Sequence, residues 1–199
     1  MGPATRERFA AAIRAIDAAN ADDPHSLEFE GRRHRKEQLH AELMTAWVQR
    51  LDPEASEAQL LAARAHHLRR WTLPREEYPE GRVGYRRWRA ELRRRHAVEV
   101  ARILRAQGYE DDVVDEVGRI VRKDGLGTDP AVQVHEDALC LVFLQTQLGE
   151  VAARLGSDKA VAVLRKTLPK MSEAGRDAAL GLRLSDDERR LLEAATAPA

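Results

Sequence analysis

Apolar residues recur at spacings of three and four through most of the chain, the period of a single helix face. Phe9, Ile13 and Ile16 open the pattern, which stops at the turn-forming string Asn20-Ala-Asp-Asp-Pro24. Residues 21–35 lose the period and are rich in charge, which predicts a loop with a short extended piece at 27–29. The period resumes over about 36–50, with Leu39, His40, Leu43, Met44, Trp47 and Leu51 on one side, and Asp52-Pro53 ends it. Ser56-Glu-Ala-Gln59 has the spacing of a capping box and opens a helix predicted to run to about residue 71. Pro74 and Pro79 mark a loop. A long helix over about 85–107 turns Trp88, Leu92, Val100, Ile103 and Leu104 inward and stops at Gly108. Further helices are predicted at 111–123 and 134–155, the second being the most apolar in the chain. Shorter helices fill the tail, where Ser185-Asp-Asp-Glu188 forms a second capping box. No segment alternates as a strand should, and no repeat of solenoid length is present. The expectation is an all-α, single-domain multi-helix bundle of 199 residues, its core at about 36–155 and short helices at about 158–196.

Charge changes the picture only locally. Lys plus Arg and Asp plus Glu both number 33, so the formal net charge is zero, which argues against a whole-molecule polyanion binder. The zero is a cancellation between an Arg-dense stretch at 82–105 and acidic residues just after it. The single cysteine, Cys140, leaves no internal disulfide and reads as a buried core thiol. The N-terminus lacks the apolar run of a signal peptide. The longest apolar stretch, 138–148, is short of the ~20 residues that span a bilayer. No membrane partner and a cytoplasmic location are expected. Phosphate-binding Gly-rich loops, a Gly-x-Ser-x-Gly elbow, a Cys-x-x-Cys pair and His-Glu-x-x-His are all missing from the chain.

The candidate chemistry lies in polar residues on apolar helix faces. His40 shares a face with Leu43, Trp47 and Leu51, and His67 with Leu60, Ala63 and Trp71. His96 sits in the row Trp88, Leu92, Val100, Ile103, and Asp137 precedes Cys140, Leu141, Leu144 and Leu148. Helical geometry sends all four toward the core. Imidazoles and a carboxylate converging from four helices suit a divalent ion such as Mn, Fe, Co or Zn; the competing reading is a buried hydrogen-bond network. A second constellation is cationic, with Arg70 and Arg75 flanking the His66-His67 doublet and Arg86 to Arg95 crowding the long helix beside Tyr85 and Trp88. Guanidinium groups bind phosphate bidentately, so Arg70, Arg75, Arg89 and Lys123 are the candidates to hold an anionic substrate. The alternative is a solvated helix face paired with the acidic run. Glu136, beside Asp137, is the candidate catalytic base, with Asp137 sharing that role.

The order His40, the doublet Ala65-His66-His67-Leu68, then Asp137 at the start of a core helix resembles the HD-domain phosphohydrolase superfamily. That resemblance implies a helical core over about 36–145, with His40, His66, His67 and Asp137 as metal ligands and His96 where some members hold a second metal. The doublet here is His-His rather than His-Asp. Strings across nearly the whole chain resemble the domain-of-unknown-function family 4202: Ala62-Ala-Arg-Ala-His-His-Leu-Arg-Arg-Trp71, Leu73-Pro-Arg75, Glu136-Asp-Ala-Leu-Cys-Leu-Val-Phe-Leu144 and Leu164-Arg-Lys-Thr-Leu-Pro-Lys-Met-Ser172. That pattern has Tyr and Gln at positions 40 and 66, which puts His67, His96 and Asp137 first among the candidate ligands.

Together these readings lead to a divalent-metal-dependent hydrolase acting on a small phosphorylated or nucleotide substrate. Two alternatives stand beside it: a non-catalytic helical module binding RNA or an acidic protein, and a di-iron oxygenase.

Overall fold

The computed structural model describes residues 3–197. Ten α-helices carry the described chain: α1 (Pro3–Asn20), α2 (Lys36–Leu51), α3 (Glu57–Arg64), α4 (Gly81–Ala106), α5 (Asp111–Arg122), α6 (Pro130–Thr146), α7 (Leu148–Leu155), α8 (Ser157–Thr167), α9 (Glu173–Leu180) and α10 (Asp186–Thr196). The all-α expectation holds, and both capping boxes form, with Ser56 and Ser185 accepting from the third residue of their helices.

Two large apolar cores share the work, beside a small third cluster of Leu73, Trp88 and Leu92. One gathers α1, α3, α4 and α5 around Ile16, Leu61, Val100, Leu104 and Ile120. The other gathers α2 and α6 to α10 around Met44, Leu141, Leu144, Leu148 and Leu164. Burying one such side chain stabilises the fold by about 1.5–3 kcal/mol. Helices α3 and α6 contribute to both cores, with Leu61 and Val132 in one and Ala63 and Leu141 in the other.

Three local features depart from the sequence pattern, and each positions a polar side chain. The short extended piece expected at 27–29 is present as a strand, but residues 32–35, expected as loop, form a second one. Strands β1 (Ser26–Phe29) and β2 (Arg32–Arg35) form an antiparallel hairpin with Leu27 opposite His34. Glu30 and Gly31 have φ of 50° and 72°, the two-residue turn that suits hairpin twist. Mostly polar, half-exposed strands hide the alternation. The hairpin feeds straight into α2, whose first N–H groups need acceptors. The N-cap, Arg35, supplies no side-chain bond. The fully buried Asp23 does so instead, accepting from the Glu37 N–H at 2.8 Å.

The helix expected to reach residue 71 stops at Arg64. Beyond it, tight bonds form from His66 N–H to Ala63 O (3.3 Å), Leu68 N–H to Ala65 O (3.1 Å) and Arg70 N–H to His67 O (3.0 Å). Arg69 turns left-handed with φ 49°, and its N–H donates to Asn20 Oδ1 at 2.9 Å. The His66-His67 doublet therefore lies on a turn, so the helical spacing of His67 to Leu60 and Trp71 does not apply.

The apolar stretch expected as one helix over 134–155 is two. α6 starts earlier, with Pro130 in its first turn and Asp129 accepting from the Val132 N–H, and a 61° bend separates it from α7. Thr146 Oγ1 donates back to Val142 O at 2.7 Å at the end of α6, a bond that bends helices. Among the described residues, no single helix is long and apolar enough to cross a membrane.

Candidate metal centre

A group of buried polar residues gathers around the turn after α3. The first turn of α2 supplies Glu37 and His40, three residues apart and so on one face. The turn after α3 supplies His66 and His67, α4 supplies His96, α6 supplies His135, and Lys123 ends α5. Glu37 Oε2 lies 3.0 Å from His67 Nδ1 and 3.4 Å from His40 Nδ1. One ligating atom from each of Glu37, His40 and His67 falls within 4.8 Å of the others, so this group could hold a metal ion.

Hydrogen bonds fix which nitrogens are free. Thr146 Oγ1 gives its proton to Val142 O and lies 3.2 Å from His40 Nε2, so His40 Nε2 donates to it. His40 Nδ1 is then a bare lone pair with no hydrogen-bond partner, facing a carboxylate oxygen. Two lone pairs aimed at each other call for a proton or a metal cation between them. Arg70 Nη1, which can only donate, approaches His67 Nε2 at 3.5 Å, so in the metal-free chain His67 Nδ1 carries the proton that faces Glu37, and it gives that proton up when Nδ1 ligates. His96 Nδ1–H donates to Leu68 O at 2.8 Å. His66 Nδ1 and His135 Nε2 lie 2.9 Å apart and share one proton. Their outer nitrogens, and His96 Nε2, are buried without partners. Buried polar atoms are normally satisfied, so this concentration marks a place for an occupant; of the two outer nitrogens of the neutral His66–His135 pair, one is a lone pair and the other an N–H.

Burial holds the imidazoles of His66, His67, His96 and His135 neutral. It pushes His96 down to about 4 and His135 to about 3. His66 and His67 are also lowered, by burial first and then by neighbours, His67 for the former and Arg70 for the latter. Neutral imidazole is the ligating form. Beside the group, a crevice of about 10 Å³ is lined by His66, His67, Arg70, Arg89, His96 and Lys123. That is roughly the room one water or one ion needs. Arg70 is held there by Trp88, whose ring centroid is 4.7 Å from the guanidinium carbon and whose Nε1–H donates to Leu73 O at 2.9 Å. Burial lowers the Arg70 guanidinium, with Glu37 opposing the shift.

The structure thus joins His40 and His67 in one group and lines a single crevice with His66, His67, His96, Arg70, Arg89 and Lys123. Other expectations require correction. Asp137 is buried but faces away toward the tail: Oδ1 accepts from Gln133 Nε2 (3.0 Å) and from the Ser172 N–H (2.9 Å), and Oδ2 accepts from Ser172 Oγ (2.6 Å). Ser172 is the N-cap of α9. A Cβ on Gly175 would come within 2.7 Å of Asp137 Cγ, so the glycine permits that approach. Asp137 is an anchor for α9 and no ligand. Replacing it with Ala is expected to lower unfolding free energy by about 3 kcal/mol, read from urea melts, and to leave bound metal unchanged. Glu136 is no free base, because its carboxylate pairs with Lys123 and both side chains are only 6 % exposed. Arg75 is spent on the carbonyls of Tyr78 (2.8 Å) and Pro79 (2.9 Å), bracing a loop instead of a substrate. Cys140 is a buried thiol pushed up to about 12 by burial, in keeping with a core role.

Glu37 and His135 escape the sequence reading. Glu37 sits three residues before His40, in a Glu-x-x-His spacing that can serve metal sites on helices; that signal was present. His135 is masked by the adjacent Glu136-Asp137.

A family model described as Domain of unknown function (DUF4202) matches residues 10–192. The chain belongs to this family. The DUF4202 match takes in every element from α2 to α9 and all residues of the candidate centre. No curated protein and no solved structure matches the chain, so these comparisons lend no support to the HD-domain resemblance.

Proposed function

We propose that this DUF4202 protein is a divalent-metal-dependent hydrolase of a small phosphorylated compound or nucleotide. The observation that carries the reading is the juxtaposition of Glu37, His40 and His67 with a crevice bordered by Arg70, Arg89 and Lys123. Two imidazoles and one carboxylate suit Zn, Fe, Mn or Co, and three protein donors leave positions open. Such an ion would supply Lewis-acid polarisation and would acidify a water. The chain's own residues do the rest. Arg70 and Arg89 would bind phosphoryl oxygens, Trp88 keeps the Arg70 guanidinium from swinging out, and Glu136 holds Lys123 at the crevice wall. The apolar surroundings strengthen these charges by excluding water.

The test is a screen of phosphorylated metabolites and nucleotides against metal-reconstituted protein, reading released phosphate. The expected result is turnover of at least one compound, abolished by Glu37→Gln and reduced at least ~100-fold by Arg70→Met. Metal-loaded protein that releases phosphate from none of them, while binding an RNA pool with steep salt dependence, would favour a binding module instead.

A further inference from the structure

His96 lines the crevice but is not one of the three grouped ligands. Its orientation is set by the backbone. The Leu68 carbonyl can only accept, so the 2.8 Å bond to it fixes the proton on His96 Nδ1. Nε2 is therefore a lone pair, and it is buried with no partner on a residue only 4 % exposed. Around it stand groups of the opposite character. Arg70, Arg89 and Lys123 line the same walls and can only donate. The crevice makes two demands of its occupant: negative charge for the cations, and a hydrogen to give to His96.

A metal cation would satisfy the His96 lone pair but be repelled by Arg70, Arg89 and Lys123, a water would give the hydrogen but bring no charge, and a fully ionised oxyanion meets only the first demand. An oxyanion that keeps one proton meets both. The volume of about 10 Å³ admits a single oxygen, not a whole tetrahedral group. The remaining oxygens would lie at the mouth, where Arg93 also lines the opening.

We infer that this crevice selects a singly protonated phosphoryl group, inorganic phosphate being the simplest, and that His96 Nε2 reads its hydroxyl. The inference rests on the phosphoryl part of the proposed function and names the form of the ligand that the site takes. Sulfate has the same shape and charge range but carries no hydrogen at neutral pH. Its oxygen would oppose the His96 lone pair with nothing between them, leaving a buried acceptor unpaired. His96 is thus a specificity-determining residue.

The experiment is calorimetric titration of the full chain at neutral pH and fixed ionic strength with sodium phosphate and with sodium sulfate. Chelator-treated and Mn-loaded protein are run in parallel. Phosphate is expected to bind about tenfold or more tightly than sulfate. His96→Leu should bring the two within about threefold by weakening phosphate, and Arg89→Met should weaken both anions and keep their ratio. If His96→Leu does not fold, the wild-type ratio and the ring-nitrogen NMR signal of His96, which should shift with phosphate and not with sulfate, decide the matter. Equal affinities, a preference for sulfate, or no phosphate binding would overturn the inference. A phosphate preference in protein that binds no metal would refute the hydrolase reading alone. Metal binding with equal anion affinities would refute this inference alone.

Discussion

Glu37→Gln is expected to weaken metal binding at least ~100-fold while leaving the fold intact. Loss of an outer-sphere partner of a ligand alone costs 10–100-fold in many sites, and Glu37 is the one carboxylate in the group. Glutamine has nearly the same shape. Its amide nitrogen can point at the bare His40 Nδ1, which in the native chain faces a carboxylate oxygen at 3.4 Å. That new bond satisfies a buried acceptor, so the metal-free variant should be as stable as the parent or about 1 kcal/mol more so. Competition with a chromophoric chelator reads the affinity, and urea melts read the stability. A variant that binds metal as the parent does would remove Glu37 from the site. The pairing of lost affinity with undiminished stability separates a ligand from a structural carboxylate such as Asp137, for which the opposite pairing is expected.

Chelator-treated protein should lose roughly 4 kcal/mol of stability between pH 7 and pH 5 from His96 and His135, about 2 from each. Burial depresses both imidazoles, to about 4 and about 3. In the unfolded chain each titrates near the ordinary histidine value of about 6.5. The unfolded state therefore takes up protons first as the pH falls. The stability that neutral burial confers is complete above about 6.5 and is lost as the pH falls toward the folded values. His66 and His67, also depressed, act in the same direction. Urea midpoints measured across this range check the prediction. A flat profile would mean that these rings reach solvent or a charged partner. Bound metal should raise stability at pH 7, because it stabilises only the folded state, without removing the loss from His96 and His135, which are not among its ligands.

Helix periodicity made most of the fold legible. The apolar rows of α2, α4, α5 and α6 lie in the cores as their spacing requires, with Met44, Val100, Ile120 and Leu141 fully enclosed. Both capping boxes were visible because their signal is local. Of the hairpin only the first strand was, as the extended piece at 27–29, since Arg32–Arg35 carries no apolar alternation. The candidate centre was legible in part for the same reason. His40 and His96 sit on regular helices, so their burial followed from spacing. His67 reached the site by a different route, a turn held by the bond between Arg69 N–H and Asn20 Oδ1, a contact 49 residues apart in sequence. Asp137 shows the limit most clearly. Spacing correctly buried it, but burial does not say against what, and the partner proved to be the cap of α9. Arg75 and Glu136 fail likewise, because a charge in sequence is free only until its neighbours are known.

The central claim is that Glu37, His40 and His67 form a metal site, and elemental analysis of untagged protein tests it most directly. Protein purified without chelator and then reconstituted should carry close to one equivalent of Zn, Mn, Fe or Co, and Glu37→Gln prepared in parallel should carry almost none. Less than about a tenth of an equivalent in the parent after reconstitution, with each of the four metals tried, would contradict the account.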